Sequence, residues 1–199
     1  MSFINFSKLN KQAKDAWKMD QLVVGLYNDG YVLGTGRLML WLDRKHAPNK
    51  LLSIIAEYAG FIPVSDNRIF RMGKNKEPET VVLTVVQGVD DLRRSRYIQK
   101  YIESPIKIRD THEMGILQNR DNLTVKGLRV EYIELIDTKE VDYEVESDPA
   151  GPLTTDDPNG LVYYQNGICW IGFTAELPAK ELTKHIVDTI KMIRVTKEA

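Results

Sequence analysis

The chain has 199 residues, 43% of them hydrophobic and 28% charged, and a formal net charge of -1. That length is enough to bury a good core, and the balance of charge gives no global field that favours nucleic acid or a membrane surface. The one cysteine, Cys169, excludes an intrachain disulfide. The amino terminus lacks the basic start and apolar run of a signal peptide, and no apolar run reaches the roughly 18 residues that suggest a membrane span. The expectation is a cytoplasmic protein.

Phe6, Leu9, Ala13 and Trp17 step by three or four, which predicts a helix over residues 2–18. Residues 21–42 read as a hairpin, because Asn28-Asp29-Gly30 separates two runs rich in valine, leucine and tyrosine. Pro48 and Asn49 open a short apolar helix that ends at Gly60, where a left-handed residue is cheap only for glycine. Strands are expected at 69–72 and 80–86 with a polar loop between them, and a third helix at 91–103 behind Asp90 and Asp91, as the helix dipole favours. Residues 110–122 read as loop. Alternation at 128–136 and 141–145 predicts another hairpin, and the proline, glycine and acid-rich stretch at 146–160 a long loop. A last helix is expected from about residue 178 to 193.

The stretch LVYYQNGICWIGF, residues 161–173, is a hairpin with both faces apolar. A two-residue Asn166-Gly167 turn would set Tyr164 opposite Cys169 and Tyr163 opposite Trp170. Leu161, Tyr163, Trp170 and Ile168 then share one face, and Val162, Tyr164, Cys169, Ile171 and Phe173 the other. An antiparallel pair with one wet face alternates apolar and polar, so this one is expected to be covered on both sides. The apolar stripe Ala179, Leu182, Ile186, Ile190 and Ile193 makes the last helix one cover. The other is a further helix, a sheet layer, a partner chain or an apolar ligand. In the last case Tyr163, Tyr164 and Trp170 are the ligand-binding candidates.

Residues 162–191 also resemble the end of a bacterial domain of unknown function found on anti-sigma factors and lipoprotein-carrier-like proteins. The resemblance rests on Asn166, Gly167, Trp170, Gly172, Glu181, Leu182 and Ile190. It implies a curved-sheet carrier or sensor domain and brings no catalytic residues. Members of that family usually sit outside the membrane behind a transmembrane helix, and no such helix is seen here.

Chemistry-bearing motifs are scarce. His112-Glu113 begins a zinc-protease-like run, but Ile116 stands where the second histidine is needed. Gly34-Thr35-Gly36 lacks the third glycine of a dinucleotide fingerprint and the lysine of a phosphate loop. Cys169, inside a strand beside Trp170, reads as a structural thiol. No pattern calls for a metal or a cofactor. Charge, however, is segregated: residues 93–129 hold nine Lys or Arg against four acids, and residues 131–160 hold ten acids against one Lys. On a helix over 91–103, Arg93, Arg96 and Lys100 would share a face bordered by Tyr97 and Tyr101, a combination that can grip phosphates and stack bases. On a strand over 141–145, Asp142, Glu144 and Glu146 would form one acidic row.

These observations predict an α+β fold: a largely antiparallel, curved sheet built from hairpins with about four helices packed on it. One domain spans residues 1–199, with lobes at 1–104 and 105–199 as a subdivision. The functional expectation is a non-catalytic intracellular binding or interaction module, bacterial or phage in character. It would use an apolar sheet surface or the acidic face to bind a protein or a small apolar ligand, and an uncovered apolar hairpin could pair two copies as a homodimer. The alternative is a nucleic-acid-associated protein using the basic and aromatic helix. A third reading is an enzyme whose site gathers dispersed residues such as His112, Glu113, Arg120 and Asp121.

Overall fold

The computed structural model describes residues 2–65, 67–81, 99–109, 111–119, 121–141, 143–154, 161–176 and 181–192. In chain order these form α1 (Phe6–Lys18), β1 (Leu22–Tyr27), β2 (Gly30–Gly34), β3 (Leu38–Asp43), α2 (Asn49–Ala59), β4 (Arg68–Gly73) and β5 (Lys76–Thr80). Then come β6 (Gln99–Arg109), β7 (Glu113–Asn119), β8 (Val125–Arg129), the short α3 (Val130–Ile133), β9 (Ala150–Thr154), β10 (Leu161–Gln165), β11 (Cys169–Thr174) and α4 (Glu181–Lys191). The described residues are thus α+β, with four α-helices and an antiparallel sheet of eleven strands in the order β5-β4-β1-β2-β3-β11-β10-β9-β6-β7-β8. Strands from both halves of the chain meet where β3 pairs with β11. The sheet is open, with β5 and β8 at its ends. One extra antiparallel bridge joins Gly127 of β8 to Glu176, just past β11. A side chain at Gly127 would lie 2.4 Å from the Glu176 carbonyl oxygen, so this approach requires glycine.

Local chemistry explains the elements that were legible. Asn5 caps α1 by accepting a hydrogen bond from the Lys8 amide at 3.1 Å, and the helix buries Phe6, Leu9, Ala13 and Ala16. Gly60 ends α2 in the left-handed region, φ 76°, and its amide bonds to the Ala56 carbonyl. Asn28 and Asp29 both take positive φ, 47° and 55°, so Tyr27 pairs with Gly30 across a two-residue turn. Gly30 leaves room for Trp41, whose indole N–H donates to the Tyr27 carbonyl at 2.8 Å.

The main core lies between one face of the sheet and α1, α2 and α3. It includes Leu22, Val24 and Leu26 of β1, Leu38, Leu40 and Leu42 of β3, and Val162, Tyr164, Ile171 and Phe173 of the last hairpin. Val23, Val32, Met39, Trp41, Ile69 and Trp170 form a second cluster on the opposite face. The last hairpin is therefore buried on both faces, as its composition requires.

Several expectations are corrected. The pairs in the last hairpin are Tyr163 with Gly172 and Gln165 with Trp170, two residues from the expected register. The cause is Asn166, whose side-chain oxygen accepts from the Ile168 and Cys169 amides and builds a longer turn. A slip of two preserves the faces, where a slip of one would have inverted them. The last helix packs on β6 to β8 and not on the hairpin: its Val187 and Ile190 join Ile108, Ile116 and Val125. The helix expected at 91–103 is strand from Gln99 onward, and residues 91–98 lie outside the described residues. The strand expected to run through 128–136 stops at Arg129 and turns into α3, while residues 143–145 form a turn. Residues 113–119, 76–80 and 150–154, expected as loops, are β7, β5 and β9.

Candidate functional site

A groove of about 810 Å³ lies beside α1. Its size falls within the range of small-molecule sites, roughly 300–1,000 Å³. The helix buries one stripe in the core and turns Lys11, Gln12 and Asp15 to the groove, where Met19, just past its end, joins them. The connection from β2 to β3 supplies Arg37. Thr35 shapes that connection, its hydroxyl oxygen accepting from the Arg37 and Leu38 amides at 3.2 Å each. Arg71 enters from β4, His112 from just before β7, Arg129 from the end of β8, and Glu131 and Tyr132 from α3.

Arg129 is the best-fixed of these groups. Its side chain is only 11% exposed. It forks onto Glu176, with Nε to Oε2 at 3.3 Å and Nη2 to Oε1 at 3.1 Å, the two-pronged geometry that gives arginine–carboxylate pairs their specificity. Its Nη1 lies 3.5 Å from Glu131, which accepts from Gln12 on α1. The guanidinium carbon stands 6.0 Å from the centre of the Tyr132 ring. Tyr132 in turn stacks on Phe173, with centroids 5.4 Å apart. Arg37 also pairs with Glu176, so one carboxylate ties the β2–β3 connection to β8. Burial raises the Tyr132 phenol above its usual range, against the opposing pull of Arg129.

Four cationic side chains, Lys11, Arg37, Arg71 and Arg129, line the groove against two acids, Asp15 and Glu131. Glu176 occupies part of that positive field. What the arrangement offers chemically is a fixed set of N–H donors and positive charge, suited to holding oxyanions. Among the described residues no group of three or more histidine, cysteine, aspartate or glutamate side chains is placed to hold a metal ion.

The residues singled out from sequence fall elsewhere. Tyr163, Tyr164 and Trp170 are buried, at 1%, 6% and 1% exposure, and none lines the groove. Tyr164 lies in the main core, edge-on to Phe173, whereas Trp170 lies in the cluster on the opposite face, so the three share no single surface. The Trp170 indole nitrogen is buried without a hydrogen-bond partner among the described residues. Lys100 and Tyr101 do not share a helical face: strand alternation turns Lys100 outward and Tyr101 inward, where its hydroxyl lies 2.9 Å from that of Thr124. Arg93, Arg96 and Tyr97 lie outside the described residues. The acidic row is not a strand face. Glu144 is exposed in a turn, Glu146 is buried and accepts from Asn166 at 2.7 Å, and Asp142 lies outside the described residues. Of the described members of the dispersed set, His112 alone lines the groove. Glu113 begins β7, 3.7 Å from Lys107, Asp121 sits in the turn after that strand, and Arg120 lies outside the described residues.

Arg37, Arg71, Arg129 and Glu176 belong to no sequence motif: Arg71 lies within β4, and the others at the end of, or beside, a strand. Thr35-Gly36, noted as a failed phosphate motif, borders Arg37 and came nearest. No helix among the described residues is long and apolar enough to cross a membrane. No family model matches the chain, and no curated protein and no solved structure matches it.

Proposed function

We propose that the protein is a non-catalytic binding module that recognises an anionic ligand through the groove beside α1. The observation that carries this reading is the excess of cations over acids lining one concavity, with Arg129 already rigid within it. Rigid donors lower the ordering cost of binding, which favours recognition. The recognition surface thus moves from the apolar hairpin and the acidic stretch to the groove. The cytoplasmic setting, the single domain and the likeness to curved-sheet carrier or sensor domains belong to the same proposal. The bridge between Gly127 and Glu176 supports the curvature, since it returns the β8 end of the sheet to the β11 strand.

The test is calorimetric titration of the full chain at low salt with pyrophosphate and with citrate, and with glycerol as a neutral control. Saturable binding of an anion is expected, weakening with added salt and falling about tenfold in Arg71→Gln, a loss of about 1.4 kcal/mol. Arg71 is exposed and its removal leaves the core intact. Absence of saturable binding to either anion overturns the groove as the recognition site. Turnover of a bound anion that Arg71→Gln abolishes would overturn the non-catalytic part.

A further inference from the structure

Two of the groove's arginines already hold an anion, the carboxylate of Glu176. Both oxygens of Glu176 are engaged: Oε1 by Arg37 and by Nη2 of Arg129, and Oε2 by Nε of Arg129. Arg37 and Arg129 are also groove-lining residues, so the seat of this carboxylate borders the same concavity. The seat is built rather than casual. Arg129 is 11% exposed, and is held on its far side by Glu131 and by the Tyr132 ring. Glu176 itself is 23% exposed and is attached by a flexible side chain to a backbone fixed by the Gly127 bridge. Its carboxylate can therefore swing out to water while its backbone stays in place.

Resting on the proposed groove function, we propose that the seat held by the Glu176 carboxylate is an oxyanion subsite. A phosphate- or carboxylate-bearing ligand enters it by exchanging with that side chain. Two oxygens presented to a guanidinium fork reproduce what Glu176 offers, and a phosphate group does so as well as a carboxylate. Elsewhere in the same groove lie Lys11 and Arg71, the latter facing Glu79 across the β4–β5 pair, and they provide for a second anionic group on the ligand. A ligand with two such groups outcompetes a single tethered carboxylate, and one with a single group does not. Glu176 thereby acts as an internal competitor. It keeps Arg129 paired when the groove is empty and sets a threshold on what may bind.

The exchange predicts opposite signs for stability and affinity in one variant. Glu176→Gln removes the competing charge, so pyrophosphate or citrate should bind at least tenfold more tightly, while the melting temperature of the unliganded protein falls because Arg129 loses its carboxylate. The probe with the larger gain identifies whether phosphate or carboxylate is the preferred source. Equal affinity in the wild-type chain and Glu176→Gln overturns the exchange and leaves the groove reading standing. No binding by either protein overturns both. Should Glu176→Gln fail to fold, the side-chain Nε–H resonances of the wild-type arginines decide the matter. Exchange requires pyrophosphate or citrate to shift the Arg37 and Arg129 signals. A response confined to Arg71 overturns it.

Discussion

The sheet has two regions built on different terms. From β1 to β3 and through β10 and β11, nearly every residue is buried and nearly every buried residue is apolar. From β6 to β9 the interior also holds Ser104, Gln118, Asn119, Lys126 and Thr154. Each of these has work for its polar atoms. Gln118 donates to the Ile190 carbonyl at 2.9 Å and so pins α4, and Asn119 accepts from the Asp121 and Asn122 amides and donates to Gln99. Lys126 donates to the Thr154 hydroxyl at 3.0 Å across the sheet. The first region is stabilised by area and packing, which tolerate exchange of one apolar shape for another of similar volume. The second depends on pairings, and a pairing half removed leaves a buried group unsatisfied.

The largest effect should come from the first region. Phe173 is fully buried, stacked on Tyr132 and edge-on to Tyr164. Phe173→Ala should cost about 3–5 kcal/mol in urea unfolding, from lost transfer energy and from the cavity left behind. Phe173→Leu should recover most of it. If the leucine variant is as unstable as the alanine one, shape rather than area governs that core and the comparison fails.

In the second region a nearly isosteric change should be costly. Thr154→Val keeps the volume and removes the hydroxyl that Lys126 meets, so it should cost about 1–3 kcal/mol. Combined with Lys126→Met it should show a coupling of about 0.5–3 kcal/mol in a double-mutant cycle. Additive effects would mean that the pair contributes nothing as a pair, and that the two regions do not differ in kind.

The same contrast decides what could be read from the sequence. The stripe of α1, the glycine stop of α2, the Asn28-Asp29 turn and the two faces of the last hairpin are visible because apolar period and turn chemistry are local. Even the misread register of that hairpin left its faces correct, since the error was two residues and not one. The polar region hid its strands. Gln118 and Asn119 made β7 look like a loop, and Gly151 and Pro152 did the same for β9. The edge strand β5, with the sequence KEPET, looked like linker because charge and proline are what protect an edge from pairing with another chain. Acids at its start made 91–103 look helical, yet Tyr101 and Ile102 are both buried because β6 lies within the sheet. The groove was invisible for a stronger reason. Its arginines come from the β2–β3 connection, β4 and β8, and only the strand order brings them to one place.

Alkaline titration compares two phenols of the main core, on either side of Phe173, without any cavity. Burial raises the phenols of both Tyr164 and Tyr132 above the ordinary value of 10.0; nearby Glu103 raises Tyr164 further, whereas Arg129 pulls Tyr132 back. Below about pH 10 the folded and unfolded chains both keep these protons, and the effect on stability is nil. Above it the unfolded chain gives them up first. The folded state then binds more protons than the unfolded one, and stability must fall as pH rises. Melting temperatures between pH 9 and 12 should therefore decline, with tyrosinate absorbance appearing at the unfolding transition and not before it for these two residues. Tyr164→Phe should flatten the decline more than Tyr132→Phe, because the Tyr164 phenol has burial and a carboxylate acting together, while Tyr132 has a guanidinium acting against burial. A decline that Tyr132→Phe flattens more would mean that the core around Tyr164 admits water and that the Tyr132 phenol is the better sealed of the two.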